Sequence, residues 1–108
     1  MNKEPYHWAE IWMELLPPEH GGRTQPLVLC NDHLGRYRPH LRVKGASEVL
    51  GVAFMDGPDK PVEPGTGTFA TVAFLYEPGV SYTALSVGAE FEVLEGPHVV
   101  GVGRVTRR

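Results

Sequence analysis

The sequence predicts an all-β fold, a small closed antiparallel barrel or sandwich of about six or seven short strands. Three observations lead there. Thirteen glycines and ten prolines exceed a fifth of the 108 residues, more than helices tolerate but suited to short strands joined by tight turns. Apolar residues (42%) and charged residues (21%) stand in ordinary globular proportion, so the chain carries enough apolar material to fold unaided. The apolar segments are short, and an open sheet with this many strands would expose edges that closure removes. A chain of this length is expected to form one domain, residues 1–108, burying on the order of two thirds of its unfolded surface.

The elements follow in order. Tyr6 to Leu16 supports two patterns: Trp8, Ile11, Trp12 and Leu15 have helical spacing, while Ala9, Ile11, Met13 and Leu15 alternate with Glu10, Trp12 and Glu14 as in a strand. Periodicity leaves the two equal, and Pro17-Pro18 ends the element in either case. Beyond Gly21-Gly22, Leu27 to Cys30 is short and apolar. A polar stretch holding Gly35 separates it from His40 to Lys44, where Leu41 and Val43 alternate with His40, Arg42 and Lys44. That strand has one apolar and one basic face. Gly45-Ala46 turns the chain into Glu48 to Phe54, and Asp56 to Pro61 is dense in turn-formers. Phe69 to Tyr76 is β-branched and aromatic on both faces, as in a central strand, and Glu77-Pro78-Gly79 closes it. Glu90 to Leu94 and Val99 to Val105 flank Glu95-Gly96-Pro97-His98, a connection of hairpin length.

Charge and cysteine usage narrow the function. A net charge of −3 gives no overall attraction to nucleic acid, so any basic face is local. Cys30 is the only cysteine, which excludes an internal disulfide and a cysteine-based zinc site. Met1 to Pro5 has no apolar leader character, and no run approaches the roughly 20 apolar residues that span a bilayer. The expectation is a soluble cytoplasmic protein with no membrane contact.

The series Glu19-His20-Gly21-Gly22-Arg23-Thr24-Gln25-Pro26, Tyr37-Arg38-Pro39, Glu63-Pro64-Gly65 and Glu95-Gly96 through Val99 to Thr106 resembles the third, C-terminal barrel domain of translation elongation factor Tu. Order and separation match over about Trp8 to Thr106. The resemblance implies a six-stranded Greek-key barrel and makes Tyr6 to Leu16 a strand. It further implies a non-catalytic domain that contacts tRNA backbone and protein partners, with Arg23 and Thr24 in the first segment and His98 at the final hairpin as the partner-facing positions. Three positions depart from the family pattern. Thr66 replaces an acidic turn residue, Pro97 replaces a glycine, and His98 replaces an arginine, which weakens a phosphate contact. Gly21-Gly22 suits a sharp turn, Gly101 and Gly103 clear one strand face for close backbone packing, and Arg38 is held extended by the proline after it.

Arg36, Arg38, Arg42 and Lys44, with His33 and His40 beside them, form the strongest candidate face for RNA or an acidic partner. The alternative is a solvated barrel face, because alternation sends His40, Arg42 and Lys44 outward together. The five histidines lack metal-ligand spacing, no phosphate-cradling Gly-x-x-x-x-Gly-Lys-Ser/Thr loop occurs, and Glu90 with Glu92, on one face of a strand, would need an apolar pocket for acid catalysis where a solvated surface is expected. No cofactor, metal, nucleotide or catalytic activity is expected. The expected function is a binding module engaging tRNA or a translation-associated protein through Arg23, Thr24, Arg36, Arg38, Arg42, Lys44 and His98. The alternative is a protein-interaction or regulatory factor, an elongation-factor mimic or toxin-neutralising protein that binds no RNA. Trp8 and Trp12 share one side of a regular strand with Glu10 and Glu14 and offer a further partner contact.

Overall fold

Hydrophobic alternation in the first segment resolves as a strand. In the computed structural model, which describes residues 7–31 and 35–108, Ala9, Ile11, Met13 and Leu15 of β1 (Trp8–Leu15) are all buried. Trp8, Glu10, Trp12 and Glu14 face outward. The strand wins over the helix because both of its edges are paired, with β6 (Gly67–Phe74) on one side and β8 (His98–Arg107) on the other. The remaining strands are β2 (Cys30–Asn31), β3 (Gly35–Arg36), β4 (His40–Val43), β5 (Leu50–Asp56) and β7 (Glu90–Glu95).

Six of these strands close on themselves in the order β1-β6-β5-β4-β7-β8, every pairing antiparallel. Since β4, β5 and β6 are successive neighbours and β7 returns by a long connection to lie beside β4, the connectivity is that of a Greek key. The all-β closed barrel is the fold that the composition and strand pattern predict. Register irregularities at Glu10/Ile11, Phe54/Asp56 and Val93/Leu94 bend the strands as closure requires.

The interior is filled by alternate residues of each strand, including Ile11, Met13, Leu41, Val52, Phe54, Val72, Phe74, Phe91 and Val93. Burying each large side chain contributes about 1.5–3 kcal/mol. The two ends are plugged from outside the barrel strands. Tyr82 and Leu85 fill the end where β5 begins: the Tyr82 ring stacks on Phe74 at 4.7 Å and its hydroxyl donates to the Gly51 carbonyl at 2.6 Å. Leu27, Leu29 and Val62 fill the other end.

That second plug explains the one clear departure from the expected strands. Leu27 to Cys30 is not a barrel strand. Leu27 and Leu29 point into the barrel end, Leu27 exchanges backbone hydrogen bonds with Val62, and only Cys30 continues into the two-stranded β2–β3 ribbon. A short apolar run reads alike in both settings. Pro18–His20 forms a short 3-10 turn, which Gly21 ends at φ 85°.

The glycines of β8 set how the barrel closes. Gly101 and Gly103 face inward, paired with Leu15 and Met13 of β1. A Cβ on Gly101 would lie 2.7 Å from the Glu14 carbonyl, and one on Gly103 would collide with the Trp12 carbonyl and lie 2.7 Å from the Phe91 ring. The β1 backbone and Phe91 occupy the space that side chains would need. Gly103→Ala is therefore expected to lower stability by about 1–3 kcal/mol, the usual range for overpacking, read as a lower urea midpoint at unchanged m-value.

Candidate functional site

Strand direction sorts the predicted site residues into two groups. β7 and β8 meet at a two-residue hairpin, Gly96-Pro97, with Gly96 at φ 60° in the first central position, where a mirror-type turn needs positive φ. His98 opposes Glu95 across this hairpin. At the same end of the barrel, Tyr37 to Pro39 runs alongside β5: the Phe54 N–H donates to the Tyr37 carbonyl and the Val52 N–H to the Pro39 carbonyl. Arg38 is thus held extended and exposed between them. The loop carrying Gly22, Arg23 and Thr24 folds over this end. It is turned by Gly21 and pressed onto Leu16 at Gly22, where a Cβ would collide with the Leu16 carbonyl.

Glu95 joins the three segments. Its Oε2 accepts a hydrogen bond from Arg23 Nη1 at 2.6 Å and another from the Tyr37 hydroxyl at 2.6 Å. All of this is half-buried, with the Arg23 and Glu95 side chains 27% and 30% exposed. Charge-assisted hydrogen bonds in such a setting contribute about 1.5–3 kcal/mol each. Arg23 Nε is buried without a partner among the described residues, an added cost of holding the guanidinium here that the Glu95 contact must offset. Burial first, then the hydrogen bond to Glu95 and its negative charge, pushes the Tyr37 phenol well above its ordinary pKa; the Arg23 charge opposes this.

The structure therefore brings Arg23, Thr24, Arg38 and His98 to one end of the barrel, with Thr24, Arg38 and His98 exposed and Arg23 engaged inward. Arg36 lies beside them on β3, donating to the Met55 carbonyl at 2.8 Å and the Phe54 carbonyl at 3.5 Å. Arg42 and Lys44 belong elsewhere. They sit toward the opposite end of β4, on the outer wall, in a groove of about 660 Å³ shared with Trp12, Glu90, Glu92 and Arg104. There Arg42 bonds Glu92 through Nη2 at 2.6 Å and Nε at 3.1 Å, directly across the β4–β7 pair. The outward alternation of His40, Arg42 and Lys44 is as the strand pattern predicts. His33 lies outside the described residues.

Sequence reasoning missed Glu95 and Tyr37 as the partners of Arg23. Arg23 and Glu95 are 72 residues apart, and no local spacing signals such a contact. Thr66, one of the departures from the family pattern, has a structural role: its hydroxyl and N–H both donate to the Glu63 carbonyl, closing a turn with Pro64 second and Gly65 third at φ 84°. Among the described residues, no three His, Cys, Asp or Glu side chains are grouped to hold a metal ion, and no helix is long and apolar enough to cross a membrane. No protein-family model matches the chain.

The Tyr37 environment gives a pH signature. The folded protein holds the phenol proton above the pH at which an unfolded tyrosine, with a pKa near 10, releases it. The stability due to this group is fully present below that pH and is lost as pH rises toward the folded value. Unfolding free energy is expected to fall by up to about 1.4 kcal/mol per pH unit above pH ~10 from this group. Tyr37→Phe should remove that part of the alkaline slope. A smaller slope remains, because Tyr82 is also raised, chiefly by burial. Urea denaturation from pH 8 to pH ~11.5 measures both.

Proposed function

We propose that the chain is a non-catalytic binding module whose recognition end is formed by the Arg23–Thr24 loop, Arg38 and the Gly96-Pro97 hairpin with His98, and that its partner is a protein. The observation that carries this reading is the engagement of Arg23 by Glu95. Phosphate recognition depends on cations free to displace counterions. At this end Arg23 is neutralised by a carboxylate and the exposed Arg36 is turned onto backbone carbonyls, leaving Arg38 as the exposed arginine without an ion pair or hydrogen bond among the described residues. Thr24, Arg38, Pro97 and His98 instead offer a mixed polar surface on a rigid frame, the composition of an interface rim. The resemblance to the third domain of elongation factor Tu favours a partner among translation-associated proteins, either as a working component or as a mimic that occupies a partner of that factor.

The experiment is a capture from native cytoplasm with the wild-type chain and with an Arg38→Glu/His98→Glu variant, alongside binding to aminoacyl-tRNA at two salt concentrations. The reading predicts one defined protein that is retained by the wild type and lost with the double variant. It further predicts tRNA binding too weak to show a salt slope corresponding to more than about one phosphate contact. Salt-sensitive tRNA binding that the double variant abolishes would establish the RNA reading in its place.

A further inference from the structure

On the reading of the partner as a protein, on which this inference rests, we propose that the recognition surface continues from the hairpin end down the outer wall of β4 and β5. There Arg38, His40 and Tyr76 bind an extended, acidic segment of that protein.

The backbone sets the geometry. Tyr37 to Pro39 prolongs the line of β4 along β5, accepting from the Phe54 and Val52 N–H groups, and His40 then opposes Gly51. Pro39 and Leu41 are buried while Arg38 and His40 are exposed. Two apart in an extended segment, these outward side chains recur about 6.5–7 Å apart. Tyr76, just past the end of β6, lays its ring over Gly51, where a Cβ would collide with it, yet the residue stays 55% exposed. The position opposite His40 is therefore a glycine roofed by an exposed tyrosine. A guanidinium, an imidazole and a phenol ring share one stretch of wall, and Tyr and Arg are the residue types that dominate binding energy at protein interfaces.

Charge identifies the occupant. Arg38 and His40 make no ion pair or side-chain hydrogen bond among the described residues. The carboxylates nearest them in register are each engaged: Glu95 by Arg23 and Tyr37, and Glu92 by Arg42. Glu77, next to Tyr76, is held by His7 at 2.6 Å. Asp56, Asp59 and Glu63 belong to the end of β5 and its connection to β6, on the side of β5 away from β4, and Glu19 to the turn after β1. Glu48 lies further down, beside Val43 and Ser81. Arg36, turned onto β5 carbonyls, adds a second fixed positive charge at the Arg38 end. An extended partner segment repeats its own side chains on one face every 6.5–7 Å or so. Carboxylates at alternate positions thus meet Arg38 and His40 together, the first as an arginine–carboxylate pair and the second as acceptor from a ring N–H. An apolar neighbour in the segment packs on Tyr76. Complementarity of this kind selects among partners.

Selection of a phage-displayed library of random peptides on the full chain, followed by fluorescence anisotropy of the recovered peptides, tests the assignment. The wild type is expected to enrich peptides with Asp or Glu at alternate positions, whose binding weakens as salt is raised. Arg38→Ser and Tyr76→Ser are each expected to raise the dissociation constant at least about tenfold, His40→Ser to raise it less, and Arg107→Ser, which removes the same charge from β8, to leave it within about twofold. Circular dichroism and urea midpoints establish that each variant is folded; should Tyr76→Ser lose its fold, Arg38→Ser and His40→Ser, whose side chains are in solvent, carry the test. A selection without acidic enrichment, or acidic peptides indifferent to both Arg38→Ser and His40→Ser, would overturn the acidic segment and leave the protein reading to the capture experiment. Salt-sensitive tRNA binding that Arg38→Ser abolishes would overturn both.

Discussion

The fold depends on how closely β1 can lie against β8. Closure requires the last strand to return beside the first, and at Gly101 and Gly103 the β1 carbonyls of Glu14 and Trp12 take the positions where β-carbons would be. Phe91, on the next strand, fills the cleared interior space opposite Gly103. Two absent side chains on one strand and one large ring on its neighbour thus form a single packing solution. Because the close approach fixes the register on both sides of β8, it determines which residues of β1, β7 and β8 face outward. The outward positions of Trp12, Val102 and Arg104 follow from it.

Closure also determines the character of the hairpin end. Its strands give way to segments outside the barrel, held by a few backbone hydrogen bonds and tied to one another by side chains. Glu95 does this by accepting from Arg23 and Tyr37 at once, binding the Gly21-Gly22 loop and the Tyr37 to Pro39 segment to the hairpin. The same carboxylate that fixes the loops removes the positive potential of Arg23. Rigid positioning and phosphate recognition compete for one guanidinium, and here positioning has it. A second competition of the same kind occurs on the wall, where Arg42 is held by Glu92 across the strand pair, a half-exposed contact contributing about 0.2–1 kcal/mol.

Local chemistry made most of the barrel legible in the sequence. Alternation identified His40 to Lys44 and the strands flanking Gly96-Pro97, turn-formers located the connections, and Gly101 with Gly103 marked a close backbone approach that the structure contains. Periodicity could not decide β1, whose apolar residues fit two patterns until pairing on both edges selected one. It also could not separate Leu27 to Leu29 from a strand, because plugging a barrel end and lining a barrel wall demand the same residues. The site was less legible for a related reason. The basic cluster from Arg36 to Lys44 is compact in sequence but divided in space, since β4 carries its members toward opposite ends of the barrel. The contact that fixes the fate of Arg23 spans most of the chain, and nothing local encodes it.

Arg23 is a strut held by Glu95 and not a cation available to a ligand. A double-mutant cycle between Arg23→Met and Glu95→Gln, read by urea denaturation, measures that directly. A favourable coupling of about 1.5–3 kcal/mol is expected, the range for a half-buried charge-assisted hydrogen bond. Additivity of the two substitutions within about 0.5 kcal/mol would contradict it.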